Sequence, residues 1–234
     1  MTEQPPILIT GVPRSGASMI ASVINMCGAF GGNMSKRGMF GNDKIREEIV
    51  DPYFKELGAD LLGQYPLPSI NDLSIPTAWR SRVEQIMYIE GFKTGPWMYK
   101  DARLSLMWPV WNYAFPNAKW IIVRRRTGDI INSCLHTGFM KAFSSPENQK
   151  AVRVNTKEEG WLWWVHQYEE RFVEMITEGV NCKVIWPDRM VHGDYQQMYQ
   201  TLEWLGLSWK SEVLSLIDPL LWHTRQKEKV ITQK

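Results

Sequence analysis

The fold follows from one segment, Ile7-Leu8-Ile9-Thr10-Gly11-Val12-Pro13-Arg14-Ser15-Gly16-Ala17-Ser18. Four strand-forming residues lead into the pattern Gly-x-x-x-x-Gly, which is typical of a loop that binds phosphate groups. In the loop that binds nucleoside triphosphates a Lys follows the second glycine, whereas this chain has Ala17 there. The cation comes two positions before that glycine, as Arg14. We therefore expect the loop to bind a phosphorylated nucleotide other than a triphosphate.

The residues that follow the loop predict a helix that ends at Gly28. Its apolar residues recur at the spacing of one helix face, and they are Met19, Ile20, Val23, Ile24 and Cys27. A helix that begins directly after such a loop adds N–H groups and the positive end of its dipole to the anion site. The alternative interpretation is an ordinary connection between a strand and a helix that contains two glycines.

Patterns typical of strands and of helices alternate along the chain. Strand patterns occupy residues 7–10, 97–100, 119–124 and 183–186. Further helices are predicted at 43–60 with a break at Pro52, at 77–92, around Trp108, from about Thr127, at 158–178 and at 194–205. Residues 64–76 and 139–157 are predicted to be irregular. The alternation predicts an α/β fold of three layers (α/β/α), in which helices cover both faces of a central parallel sheet, as in P-loop NTPases.

Composition limits the classes of protein to which the chain can belong. With 234 residues, 44% of them hydrophobic, it is long enough to bury the core of a single domain, residues 1–234. The net charge of +2 gives no indication of a nucleic-acid partner. The three cysteines lie far apart without metal-ligand spacing, which favours a reducing compartment. No apolar run approaches the roughly 18 residues of a membrane span, and the early first strand leaves no room for a signal peptide, so we expect a cytoplasmic protein.

A second anion site is predicted after the third strand. Arg125 follows the carboxyl end of a central strand, where open α/β sheets bind their ligands. In the helix that follows, Asp129 and Ser133 are four residues apart and share a face. An arginine can hold a phosphate through two parallel N–H bonds, and a serine hydroxyl can add another. The alternative is that the run of three arginines, 124–126, only solvates a loop.

Together these segments resemble the cofactor motifs of sulfotransferases that use 3′-phosphoadenosine 5′-phosphosulfate (PAPS). The loop Pro13-Arg14-Ser15-Gly16-Ala17-Ser18 is similar to the one that holds the 5′-phosphosulfate in that family. Arg125 and Ser133 have the spacing of the residues that hold the 3′-phosphate. Trp186-Pro187-Asp188 resembles the family's segment near the adenine, and Lys100-Asp101-Ala102-Arg103-Leu104 resembles a Lys-Asp-Pro-Arg-Leu segment of bacterial members.

The resemblance implies an enzyme that transfers a sulfuryl group from PAPS to a hydroxyl or amine, without a metal. The acceptor would be a small molecule, a carbohydrate or a lipid. Because negative charge grows on the leaving oxygen, a cation beside it lowers the barrier, and we assign this role to Arg14. Asp101 is the candidate base, and Lys100 is the candidate contact to the sulfuryl oxygens or the leaving group. The alternative for Asp101 is a structural role, at a helix start or in an ion pair with Arg103.

The chain departs from the family pattern in ways that keep other functions open. Ala17 replaces a hydroxyl residue, Met19 stands where many members have an aromatic residue, and the histidine of the animal enzymes is missing. The missing histidine leaves the identity of the base open and keeps a non-catalytic nucleotide-binding protein as one alternative. A nucleotide or small-molecule kinase with the same loop is the other alternative, and Ala17 argues against it.

The acceptor is not identified by any motif. Residues 29–95 and 139–160 would shape its pocket. Four aromatic residues of these segments or close to them either line a cleft for a sugar or lipid head group or pack in the core, and they are Tyr65, Trp79, Trp97 and Phe139.

Overall fold

A sheet of four parallel strands forms the centre of the computed structural model, which describes residues 4–34 and 40–217. The strands are β1 (Ile7–Gly11), β2 (Met98–Lys100), β3 (Lys119–Val123) and β4 (Cys182–Ile185), and their order in the sheet is β2-β1-β3-β4. Ile9 lies opposite Lys100 on one side and Ile121 on the other. The carboxyl ends of the strands therefore meet at one edge, and the predicted parallel sheet is confirmed.

Helices connect the strands, as parallel pairing requires. They are α1 (Ala17–Met26), α2 (Asp43–Ile45), α3 (Asp51–Glu56), α4 (Trp79–Ile89), α5 (Trp108–Ala114), α6 (Thr127–His136), α7 (Pro146–Ala151), α8 (Lys157–Thr177), α9 (Pro187–Val191) and α10 (Gln196–Leu205). Short 3-10 helices occupy Ile70–Asp72, Ala102–Met107, Ala142–Ser144 and Ser211–Leu216. Within the described ranges, no helix is both long and apolar enough to cross a membrane.

The strand side chains enter two apolar cores, one on each face of the sheet. Leu8, Trp120 and Ile122 pack with helices α2 to α6 and α8. Ile9 and Ile121 point to the opposite face, where α1, α9 and α10 cover them. Because both faces of the sheet are covered, the strands are nearly continuous apolar runs, which is why the sequence predicts them well. The predicted three-layer α/β/α arrangement is confirmed.

The break that the sequence predicts at Pro52 is a widened helical turn. Helix α2 continues through a π-helical turn, Arg46–Val50, directly into α3. Pro52 lies inside this continuous helix, and because proline has no N–H, the carbonyl oxygen of Glu48 four residues earlier has no helical partner. The carbonyl oxygen of Glu48 accepts a hydrogen bond from the guanidinium of Arg82 instead. The helix therefore passes this proline without ending.

The prediction that residues 139–157 are irregular is wrong in part, because this segment contains regular structure. A 3-10 turn and helix α7 lie within it, and the Ser145 side chain accepts a hydrogen bond from the backbone N–H of Asn148 at the start of α7. None of the residues of α7 is buried. A helix that buries no face has no apolar periodicity in its sequence, so the pattern could not reveal it.

Candidate functional site

The loop between β1 and α1 forms the first part of the candidate site. Arg14 and Gly16 have positive φ angles, 77° and 93°, and Gly16 is the N-cap of α1. A left-handed conformation is costly for a residue with a side chain, so the surroundings hold Arg14 in place. The backbone N–H of Ser15 donates to the carbonyl oxygen of Val12 at 2.9 Å, and a left-handed residue directly before a helix is typical of loops whose other N–H groups bind an anion. Ser15 is fully buried, and its Oγ has no hydrogen-bond partner among the described residues.

Gly11 lets this loop pass close to strand β3. A Cβ at Gly11 would lie 2.5 Å from the carbonyl oxygen of Val123 and 2.6 Å from Oγ of Ser15. Gly11 and Val123 are direct neighbours in the register of the sheet. The missing side chain therefore allows the segment that follows β1 to contact the segment that follows β3.

The second predicted segment lies against the first. Arg125 follows β3 and is 8% exposed, and its Nη1 donates a hydrogen bond to the carbonyl oxygen of Arg14 at 3.1 Å. Ser133 lies in α6, and its Oγ accepts a hydrogen bond from Nε of Arg14 at 2.9 Å. Burial lowers the pKa of Arg125, but an arginine stays charged near neutral pH. The fold thus brings together the three residues to which the sequence assigns phosphate contacts, over separations of more than 100 residues.

Trp186 lies at the same edge of the sheet, directly after β4. The guanidinium of Arg124 lies 5.2 Å from the centre of a Trp186 ring and forms an ion pair with Glu169. Arg126 is exposed. The three consecutive arginines therefore have different surroundings, and Arg125 is the one that contacts the loop between β1 and α1.

Lys100 joins this site from the end of strand β2. Its Nζ donates a hydrogen bond to Oγ of Ser18, in the first turn of α1, at 3.2 Å. Burial lowers the pKa of Lys100 to about 8, although the neighbouring Asp101 opposes that shift. The ammonium group therefore lies beside the loop and loses its charge at a lower pH than an ordinary lysine.

Asp101 is held by Arg103. Its Oδ1 accepts hydrogen bonds from the backbone N–H and Nε of Arg103 at 2.9 and 3.1 Å, and its Oδ2 accepts one from Nη2 at 2.7 Å. The Tyr99 hydroxyl adds a fourth hydrogen bond at 3.1 Å. Burial raises the pKa of Asp101, but attraction and hydrogen bonds from Arg103 outweigh it, so the net pKa is lowered. Of the two interpretations of Asp101, this geometry favours the ion pair.

A cavity of about 420 Å³ lies next to Lys100 and the loop. Its lining includes Pro13, Arg46, Leu61, Leu62, Lys100 and Arg103. Arg103 connects three of its walls, because besides Asp101 it pairs with Asp51 at 2.6 Å and donates to the carbonyl oxygen of Leu61 at 2.7 Å. The cavity is of the size that small-molecule sites have, about 300–1,000 Å³.

The aromatic residues proposed as cleft candidates lie elsewhere. Trp79 and Trp97 are 3% and 5% exposed and pack in the core, in agreement with the alternative interpretation. Tyr65 packs edge-on against Trp163, and Phe139 is exposed. None of the four described side chains lines the cavity beside Lys100.

Gln64 makes structural contacts that no sequence motif indicates. It is 4% exposed, and its Nε2 donates to the carbonyl oxygen of Phe139 at 2.9 Å. Its Oε1 accepts hydrogen bonds from the backbone N–H groups of Lys141 and Ala142 at 2.9 and 3.1 Å. The residue before it, Gly63, accepts hydrogen bonds from two side chains of α8. Gln64 therefore ties the segment that carries Leu61 and Leu62 to the segment that follows α6, and no local pattern indicates such a contact.

Solved structures of sulfotransferases share this fold. The sulfotransferase domain from the curacin biosynthetic pathway gives a TM-score of 0.55 at 15% identity, over 92% of this chain and 78% of that domain. The sulfotransferase domain from the Synechococcus PCC 7002 olefin synthase gives 0.53 at 12% identity, over 94% and 87%. Sulfotransferase STF9 from Mycobacterium avium gives 0.50 at 17% identity, over 97% and 70%.

No protein-family model and no curated protein matches the chain in sequence. The likeness to the solved structures shows the fold, and the sulfotransferase fold that the motifs predict is confirmed.

Replacing Gln64 by Met tests its contacts with residues 139–142. The variant keeps the length of the side chain but leaves buried backbone groups without partners, so we expect the free energy of unfolding to fall by about 1–3 kcal/mol. Chemical denaturation measures this change, and hydrogen exchange at Lys141 and Ala142 should become faster. The matched control is Gln167→Met in α8, a half-buried glutamine whose Nε2 donates to Glu170 at the surface, with a change below about 0.5 kcal/mol. Equal stability of the two variants would contradict the assigned contacts.

Proposed function

We propose that the protein is a sulfotransferase that uses PAPS as its donor and transfers the sulfuryl group to a hydroxyl or amine of a small acceptor. One observation carries the proposal. Arg14, whose loop forms the first anion site, is hydrogen-bonded to both Arg125 and Ser133 of the second. Two anion sites in direct contact are suited to one ligand with two phosphate groups.

The residues present fit such a ligand. The first N–H groups of α1, the left-handed Gly16 and the buried Ser15 hydroxyl would hold the 5′-phosphosulfate. Pro13, Ala17 and Ser18 complete that loop. Arg125 and Ser133 would hold the 3′-phosphate, and Trp186, at the same edge of the sheet, would lie near the adenine.

The cations of the site match the charge that the reaction develops. PAPS would supply the sulfuryl group to the acceptor. The phosphate oxygen would keep the electron pair of the broken S–O bond and leave as part of adenosine 3′,5′-bisphosphate. Arg14 stabilises the charge that grows on that oxygen, and such a positioned donor is worth about 3–4 kcal/mol of barrier. Lys100 holds a proton at Nζ beside Ser18 and adds a second cation. The loop lacks the lysine of triphosphate sites, and within the described ranges no His, Cys, Asp or Glu cluster could hold a metal ion.

Asp101 can act on the reaction in two ways. As a base it would accept the acceptor's proton, but its contacts with Arg103 keep its pKa low. As the partner of Arg103 it would orient the end of β2 and thereby Lys100. We favour the second role, in which Asp101 acts on the reaction through Lys100 and the acceptor's proton passes to water as the sulfuryl group is transferred.

Ligand-induced stabilisation tests the proposed donor. We expect adenosine 3′,5′-bisphosphate, at a hundredfold excess over its Kd, to raise Tm by about 5–10 °C, whereas Mg-ATP should not. Stabilisation by Mg-ATP alone would favour the kinase alternative and contradict the proposal. Transfer of radioactive sulfate from labelled PAPS to a panel of phenols, sugars and amines then separates an enzyme from a binding protein. Tight binding without any transfer would support the non-catalytic alternative.

Three arginine variants separate binding from catalysis. Arg14→Ala should lower kcat about 100- to 1,000-fold, because it removes the cation at the leaving oxygen. Arg125→Ala should raise the Kd of adenosine 3′,5′-bisphosphate about 10- to 100-fold, because it removes charge-assisted hydrogen bonds to the 3′-phosphate. Arg126→Ala is the matched control on an exposed neighbour. Initial rates and calorimetry measure both effects, and wild-type values for the first two variants would refute the site.

The charge of Lys100 predicts a pH dependence of transfer. Since its pKa is lowered to about 8, the ammonium form that stabilises negative charge is lost as pH rises through that value. The rate of transfer should therefore fall above about pH 8 in the wild type. Lys100→Arg keeps its charge in this range and should show no such fall, so the ratio of the two pH profiles isolates the lysine. A wild-type rate that rises through pH 8 relative to this variant would show that Lys100 acts as a base instead.

A further inference from the structure

The cavity beside Lys100 has an apolar wall. The apolar lining consists of Leu61 and Leu62, together with Pro13 of the anion loop and Ala102. Leu62 is 54% exposed, so a large part of it is accessible to a ligand. Burying such an apolar surface under an apolar group of a ligand favours binding.

The first cation of the cavity, Arg46, is already held by carboxylates. Its Nη2 lies 2.9 Å from Oδ1 of Asp43 and 2.7 Å from Oε1 of Glu47. Burial by itself lowers the pKa of Arg46. The hydrogen bond to Glu47 and the charges of the nearby carboxylates outweigh burial, so the net pKa is raised. Two carboxylates therefore already balance the charge of Arg46.

The second cation, Arg103, is held more firmly. Its side chain is 4% exposed, and it forms ion pairs with Asp101 at 2.7 Å and with Asp51 at 2.6 Å. Breaking a buried ion pair leaves an uncompensated charge and is costly. The remaining lining cation is Lys100, which donates to Ser18 at the anion loop.

The charges around the cavity therefore balance. The described lining residues include three cations and three carboxylates, and they are Arg46, Lys100, Arg103, Glu47, Asp51 and Asp101. An acceptor with its own carboxylate or phosphate would meet engaged cations, three carboxylates and the negative charge of the donor. A neutral acceptor would meet the apolar wall without any of these costs.

We propose that this cavity takes an uncharged acceptor with an apolar body, an aryl or alkyl alcohol, which packs on Leu61 and Leu62 and places its hydroxyl at Lys100. This inference rests on the proposed function, because that function makes the cavity the acceptor site. Discrimination against anionic acceptors comes from the ion pairs of Arg46 and Arg103. Affinity comes from the apolar wall.

Two probes that differ by one carboxylate test the inference. The neutral probe is 2-naphthol and the anionic one is 6-hydroxy-2-naphthoate, which has the same rings and hydroxyl. Calorimetry measures their binding to the full chain, alone and saturated with adenosine 3′,5′-bisphosphate. We expect 2-naphthol to bind at least about 10-fold more tightly in both states. Equal or tighter binding of the carboxylate, or no binding of 2-naphthol, would overturn the inference.

Variants locate the effect in this cavity. Leu62→Ser should weaken 2-naphthol binding about 5- to 10-fold, whereas Leu214→Ser, at a leucine that is 50% exposed and outside the cavity, should not. Glu47→Gln removes one of the negative charges that balance Arg46, so the ratio of the two Kd values should move towards the anionic probe at least about 3-fold. An unchanged preference in Glu47→Gln, or equal effects of the two leucine variants, would contradict the assignment.

The same titrations separate this inference from the proposed function. If adenosine 3′,5′-bisphosphate does not bind, the proposed function fails, while 2-naphthol binding to the chain alone still reports on the cavity. If the bisphosphate binds and 2-naphthol does not, the acceptor class fails and the donor site stands.

Discussion

The hydrogen bond from the Arg125 guanidinium to the carbonyl oxygen of Arg14 is the contact on which the site depends. It exists because β1 and β3 are neighbours in the sheet and because Gly11 leaves room for Val123. The Arg14 side chain then turns to Ser133 on α6. The ends of β1 and β3, the loop before α1 and helix α6 are thereby joined. In the proposed function, this arrangement lets a loop without that lysine hold a nucleotide with two phosphate groups.

Arg103 connects the parts of the cavity beside Lys100 in a similar way. It reaches from the end of β2 to Asp51 and to the carbonyl oxygen of Leu61, and it holds Asp101 at the same time. Gln64 then ties that wall segment to the residues that follow α6. The cavity beside the anion loop is therefore bounded by residues that buried hydrogen bonds fix in place. Because the charged groups on its lining balance, we propose that apolar contact with Leu61 and Leu62 selects the ligand.

Much of this architecture could be predicted from the sequence, for a physical reason. Strands buried on both faces are apolar throughout, and glycine loops that bind anions have a local signature, so both are visible in short windows. The contact between Arg14 and Ser133 follows from placing two such signatures at neighbouring strand ends. Helix α7 and the contacts of Gln64 could not be predicted, because one buries no face and the other depends on residues far along the chain. The sequence alone leaves Asp101 either as a base or as the ion-pair partner of Arg103, because only the side-chain geometry decides between the two.

The central claim is that both anion sites hold one ligand, and calorimetry with two nucleotides tests it most directly. Adenosine 3′,5′-bisphosphate and adenosine 5′-monophosphate differ only by the 3′-phosphate. For the wild type we predict that the bisphosphate binds about 100-fold more tightly, since Arg125 and Ser133 add charge-assisted contacts. In Arg125→Ala most of that difference should disappear, while the affinity for the monophosphate stays nearly constant. Equal affinities of the wild type for the two nucleotides would contradict the claim.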